Sequence, residues 1–166
     1  GLENGNLVEA LARQSDLRII AIDPDPAKVE KLRKRFDAAG LYGKRLSIQV
    51  GDAFNFEAPP YLASLTVFEN LEAVQNGLPF AKRSDEFFRK TYHNMRPYGG
   101  VACLPVRRDE ISDVERKIQE IELPKAQVRL TEGDAGLAKS HRYLLLIRDG
   151  SLPGAADWTH QYGDIA

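Results

Sequence analysis

Cysteine is almost absent: Cys103 is the only one in 166 residues, which excludes an internal disulfide and any zinc site built on several thiolates. Oxidising and reducing compartments both stay open. The three histidines, His93, His141 and His160, share no metal-ligand spacing with one another or with that cysteine, so no metal site is expected. No apolar run approaches the roughly 20 residues that a membrane-crossing helix needs. An excess of one charge is lacking too. Twenty-three basic residues face 24 acidic ones, for a net charge of -1, so the general electrostatic footprint of a nucleic-acid binder is missing. There is no initial methionine and no signal-peptide pattern. Gly1 opens in what reads as a functional loop, and the chain is expected to be a piece of a longer polypeptide.

What is present is an ordinary globular composition, 43% hydrophobic and 28% charged, at the size of one domain. Helix and strand patterns alternate. Leu7, Val8, Leu11 and Ala12 recur at helical spacing, which predicts a helix over residues 4–14 with Asn4 as its N-cap. Residues 17–22 form a short apolar run of the kind buried on both faces of a parallel sheet, and it ends at Asp23. Pro26 suits the first turn of the next helix. Val29, Leu32 and Phe36 give that helix its apolar stripe, and the basic run from Lys28 to Arg35 reads as its solvated face. Further strands are predicted at 46–50, 62–68, 101–106, 127–131 and 142–147. Helices are predicted at 85–95 and 109–121, and a loop at 72–83. The last two strands have no helix between them and should pair as an antiparallel hairpin at one edge. The fold class is therefore α/β, a three-layer sandwich around a mostly parallel sheet. The helix near Asn4 calls for a preceding strand, which this chain does not contain.

In such sheets ligands sit beyond the carboxyl ends of the strands. Four stretches fall there. Gly1, Glu3 and Gly5 belong to a glycine-bearing entry to a helix, whose N-terminus offers free N–H groups and partial positive charge; a strand-to-helix turn needs such glycines for geometry alone as well. Asp23 ends an apolar strand and can accept from ribose hydroxyls, or cap a turn beside proline. Gly51-Asp52-Ala53 follows the next strand, where Asp52 receives an adenine amino group or caps a turn. Glu69-Asn70 follows the one after.

Taken in order, these stretches resemble the class I S-adenosylmethionine-dependent methyltransferases. That family has a glycine motif after its first strand, a ribose-binding acid after its second, an adenine-contacting acid after its third, and a final antiparallel hairpin. It also has a Pro-Gly-Gly-type turn like Pro97-Tyr98-Gly99-Gly100. The resemblance covers residues 1–148. It implies a Rossmann-like methyltransferase fold without its first strand, S-adenosylmethionine as cofactor, an unidentified methyl acceptor, and Gly1, Glu3, Gly5, Asp23, Asp52, Ala53 and Glu69 as cofactor-binding residues. Two departures stand out. Glu3 occupies the central glycine position of the family's Gly-x-Gly-x-Gly loop, and Glu69-Asn70 matches none of its well-known catalytic signatures, so no catalytic residue is assigned.

Residues 149–166 differ in character. Pro153 and Gly154 mark a linker, and Trp158 with Tyr162-Gly163-Asp164 is similar to the segment that opens quinoprotein-type β-propellers with pyrroloquinoline-quinone-like repeats. That resemblance implies a propeller in the parent chain. Cys103, inside an apolar strand, reads as a small buried hydrophobe. Two other functions compete with methyl transfer. One is a non-catalytic scaffold or interaction module of the same fold, favoured by Glu3 and Glu69-Asn70. The other is a dinucleotide-dependent oxidoreductase, which Glu3 disfavours by standing where a Gly-x-Gly-x-x-Gly loop needs its second glycine.

Overall fold

The computed structural model describes residues 2–54, 56–69, 85–131, 141–152, 154 and 155. Gly1, Asn70, the predicted loop at 72–83 and the Trp158 segment lie outside the described residues. The elements run α1 (Asn6–Gln14), β1 (Ile19–Asp23), α2 (Pro26–Ala38), β2 (Leu46–Val50), β3 (Leu65–Val67), α3 (Asp85–Asn94), β4 (Gly100–Arg107), α4 (Ile111–Glu120), β5 (Ala126–Leu130) and β6 (His141–Arg148). This is the α/β alternation expected.

Two cores organise the elements. Helix α2 starts where Pro26 takes the first helical position and the Asp25 carboxylate accepts from the N–H groups of Ala27 and Lys28. Its stripe of Val29, Leu32 and Phe36 buries against Val8 of α1, Ala21 of β1 and Leu46 and Ile48 of β2. The second core joins Phe87, Phe88 and Tyr92 of α3 and Val114 and Ile118 of α4 to the inner faces of β4 and β6, at Ala102, Leu104, Val106, Leu144 and Leu146.

Strand β1 pairs parallel with β2, from Ile19 opposite Leu46 to Asp23 opposite Val50. The other four strands form a second sheet in the order β3-β4-β6-β5. There β3 and β4 are parallel, and only β6 runs against its neighbours. The C-terminal hairpin is antiparallel, with β5 outermost, as the absence of a helix between its strands required. Among the described residues nothing pairs with the free edges of β1 and β3. These edges flank a cavity of about 310 Å³ lined by residues 17–22 on one side and 62–69 on the other. Ile20 is 52% exposed and Leu65 39%, high values for strand residues inside an α/β sheet.

Several boundaries differ from expectation for local reasons. Gly5, not Asn4, precedes the first turn of α1; its φ of 74° is left-handed, and no side chain caps the helix. Strand β3 is shorter than 62–68. Its approach is committed elsewhere: the Ala63 N–H donates to Asn94 O at 2.9 Å and Ala63 O accepts from Arg96 N–H at 2.9 Å. The last predicted helix opens with a 3-10 turn at Arg108–Glu110 before α4 begins.

Candidate functional site

The site is built from three strand ends and one helix start. Asp23, the last residue of β1, is 0% exposed. Its Oδ2 accepts from the Leu2 N–H at 2.6 Å and from Lys28 Nζ at 3.1 Å, and its Oδ1 accepts from the Asp25 N–H at 2.9 Å. Burial alone raises the carboxyl's pKa, but these donors outweigh it and hold the group below its ordinary value. Asp23 is thus ionised, and it ties the loop before α1 to the end of β1.

One turn of chain carries β2 into the same rim. The Gly51 N–H donates to Asp23 O at 3.0 Å, which sets Asp52 next to the end of β1. The Asp52 Oδ1 accepts from the Phe54 N–H at 2.7 Å and its carbonyl from the Phe56 N–H at 3.0 Å. The turn-capping role of Asp52 is therefore realised. Asp52, Ala53 and Glu69 line the cavity together with Leu2, Leu7 and Pro24.

Glu69 closes the rim from the end of β3. Burial pushes its carboxyl pKa up, and the nearby Glu3 carboxylate pushes it further, while the Leu7 N–H at the start of α1 acts the other way. Its Oε2 is buried and has no hydrogen-bond partner among the described residues. Glu3 is exposed, and its φ of 39° is in the left-handed region. That region favours glycine, and glutamate occupies it at a cost in backbone strain.

Of the residues singled out from the sequence, the structure gathers Asp52, Ala53 and Glu69 on the cavity wall and places Asp23 directly behind Leu2. Glu3 lies at the loop beside Glu69. Gly5 does not face the cavity. A Cβ there meets Leu32 Cδ2 at 2.8 Å and Phe36 at 3.6 Å, so this glycine serves the packing of α1 on α2. Gly1 lies outside the described residues.

Sequence reasoning missed two members, Leu2 and Lys28. Lys28 was assigned to a solvated face, yet it reaches Asp23. A signal existed: a lysine in the first turn of a helix opposes the helix dipole, and a carboxylate five residues earlier is its natural partner. Arg33 of the same run also turns inward, to Ile48 O, whereas Arg35 stays exposed and donates to Asn4 O and Glu9.

The strain at Glu3 carries a prediction. A left-handed non-glycine residue costs ~1–2 kcal/mol, against ~0.5–1 kcal/mol of extra chain entropy lost by glycine on folding. Glu3→Gly is therefore expected to be more stable by about 0.5–1 kcal/mol. Thermal unfolding measures it, and a lower melting temperature than wild type contradicts the argument.

No family model matches this chain. A curated relative, named probable ribosomal RNA small subunit methyltransferase A, from Methanosarcina mazei, is 33% identical over 92 residues, which are 55% of this chain and 28% of that protein. The match thus spans little more than a quarter of the relative's length. Among solved structures, a SAM dependent methyltransferase from Aquifex aeolicus superposes with a TM-score of 0.60 at 13% identity, covering 89% of this chain and 78% of that one. The structure titled as the [4+2]-cyclase SpnF gives 0.64 at 12% identity, covering 91% and 73%. At these identities the likeness establishes the fold. The chain has the Rossmann-like fold of the class I methyltransferases, with a mixed sheet that closes in an antiparallel hairpin. It is a methyltransferase-like α/β domain whose candidate site lies where the ends of β1, β2 and β3 meet the start of α1.

Proposed function

We infer that this domain binds S-adenosylmethionine and transfers its methyl group to an acceptor. The observation that carries the reading is the convergence of Asp23, Asp52 and Glu69 on one rim beside the start of α1, at the carboxyl ends of three successive strands, in a methyltransferase fold. The residues present fit such a cofactor. A carboxylate offers about four acceptor positions, and Asp23 uses three; because it is fully buried behind Leu2, a ribose hydroxyl reaches the fourth only if the Leu2 loop yields. The buried Oε2 of Glu69 calls for a donor. The cofactor supplies an already activated methyl group on a sulfonium. The protein's share is positioning and the exclusion of water, which Leu2, Leu7 and Pro24 provide on the cavity wall.

The open edges of β1 and β3 belong to the same reading. A parallel strand in that slot ends beside Leu2 and leads directly into α1, which is the place of the strand that the sequence calls for. Residues 149–166 then serve as a linker toward a β-propeller in the parent chain, on the strength of the Trp158 segment alone.

A scaffold function is the second reading, and two observations favour it: the Glu3 carboxylate at a glycine position, and an Asp23 whose donors are already in place. Calorimetric titration of the protein at its native length with S-adenosylmethionine and with NAD separates the two. Heat is expected with the first and not the second. Absence of binding at millimolar S-adenosylmethionine would establish the scaffold reading, and binding of NAD alone would revive the oxidoreductase. If the cofactor binds, transfer of labelled methyl to ribosomal RNA is the first acceptor to test, because the Methanosarcina relative bears that name.

A further inference from the structure

We propose that Lys90 is a positioning residue for purine recognition: from α3, acting through Phe54, it fixes the Asp52 carboxylate so that this group selects adenine by its amino group. The inference rests on the adenosyl-binding reading above and concerns what sets its selectivity for the base. Asp52 belongs to the turn that follows β2, and its Oδ1 accepts from the Phe54 N–H at 2.7 Å. An aspartate bonded to the backbone two residues on forms a local turn, so the direction of the carboxylate follows the Phe54 backbone. Such a bond travels with the turn and does not fix it in space. The Gly51 N–H, donating to Asp23 O at 3.0 Å, holds the near end. The far end, at Phe54, needs an anchor from elsewhere in the fold.

Helix α3 supplies it. Lys90 Nζ donates to Phe54 O at 2.7 Å, a charge-assisted bond between residues 36 apart in the chain. Phe87, three residues before Lys90 and so on the same face of the helix, packs its ring on that of Phe54 with centroids 5.1 Å apart. The same ring lies 5.5 Å from that of Phe68, the residue before Glu69. One face of α3 therefore braces both sides of the cleft. The ring contact keeps Phe54 in place, and the hydrogen bond sets where its carbonyl points. Lys90 is half-buried and lines the cavity with Asp52 and Ala53, whereas a lysine that served only solubility would keep its ammonium in water. Adenine presents an amino group, a donor, to the carboxylate. Hypoxanthine presents a carbonyl oxygen in its place, and acceptor then meets acceptor. A site that holds the carboxylate rigidly discriminates between the two bases; a turn free to pivot does not.

Competition between 5′-methylthioadenosine and 5′-methylthioinosine, which exchange that amino group for a carbonyl, tests this in the protein at its native length. The wild type is expected to bind the adenosine compound roughly tenfold or more tightly. Lys90→Met, close in length but without a donor, should narrow the ratio to about threefold or less. Lys90→Arg keeps a cationic donor and should retain most of it. Lys90→Ala, which favours the helix, is a second variant without a donor and should behave as Lys90→Met does. Urea unfolding establishes that each variant is folded before ratios are compared. A purely structural role for Lys90 lowers stability and weakens both ligands alike, so an unchanged ratio in the variants without a donor overturns the inference. A wild-type ratio near one overturns it too, leaving the adenosyl site in place and removing Asp52 as the group that reads the base. If neither compound binds, the adenosyl reading itself falls and takes this inference with it.

Discussion

Asp23→Ala is expected to destabilise the domain by about 3 kcal/mol and to weaken cofactor binding by roughly ten- to a hundredfold. The stability loss follows from what the carboxylate holds. The Leu2 N–H is buried with this carboxylate as its acceptor, and a buried donor left unsatisfied costs ~1–3 kcal/mol. The Asp25 N–H loses its acceptor as well, although it lies nearer to solvent. Lys28 contributes less, because its side chain is one-third exposed and its ammonium can return to water.

The sign of the pH dependence is fixed by the same contacts. Asp23 titrates below its ordinary value in the fold, so its contribution is fully present above the unfolded carboxyl pKa of ~3.9 and is lost as pH falls through the lower folded value. The stability gap between wild type and Asp23→Ala should therefore be constant from pH 7 to about pH 5 and shrink below about pH 4. Urea unfolding across that range measures it. A gap that stays unchanged down to pH 3 would mean that Asp23 acts by packing and not by charge.

Much of the architecture was legible because it depends on local pattern. Buried strands read as apolar runs, α2 as Pro26 followed by a stripe at Val29, Leu32 and Phe36, and the terminal hairpin as two strands without a helix between them. The site was legible in outline for the same reason: acids placed after strands must appear at the carboxyl edge. What was not legible depends on contacts between distant residues. Gly5 reads from sequence as a ligand-approach or turn glycine, and only the position of Leu32 and Phe36 reveals that it makes room for a helix. The shared cavity wall of Leu7 and Glu69 joins residues far apart in the chain, and the left-handed strain at Glu3 is invisible in composition. The basic run of α2 looked solvated because spacing places its residues around the helix, yet Lys28, Arg33 and Arg35 each reach an acceptor that tertiary structure supplies. Arg148 is a similar case. It is buried, with its guanidinium 4.8 Å from the ring centroids of both Tyr61 and Tyr92, and it donates to Tyr92 O and Met95 O. An arginine at the end of a strand gives no sequence sign of that role.

The turn anchored by Arg148 sets the other large effect, at Gly100. A Cβ on Gly100 falls on the Arg96 carbonyl oxygen, well inside contact distance, and lies 3.0 Å from Arg96 N and from Met95 Cβ. Two of these three atoms are backbone, and Met95 is fully buried, so no side chain can swing away to make room. Gly100→Ala is expected to cost about 3 kcal/mol or more, at the upper end for overpacking. Gly99→Ala is the control. Its φ of 103° makes any side chain strained, but a Cβ there meets open space, and the cost should stay at ~1–2 kcal/mol.

The damage at Gly100 should also reach the site. Gly100 starts β4, whose pairing with β3 places Val67 opposite Cys103, and the Phe68 N–H donates to Cys103 O. Displacing the start of β4 therefore shifts Glu69, the next residue, against the start of α1. Chemical denaturation of both variants, followed by cofactor titration under conditions where each is folded, reads the two effects separately. If Gly99→Ala costs as much stability as Gly100→Ala, steric exclusion by Arg96 is not what requires glycine at 100. If Gly100→Ala is folded and binds as the wild type does, β4 does not position the Glu69 end of the cleft.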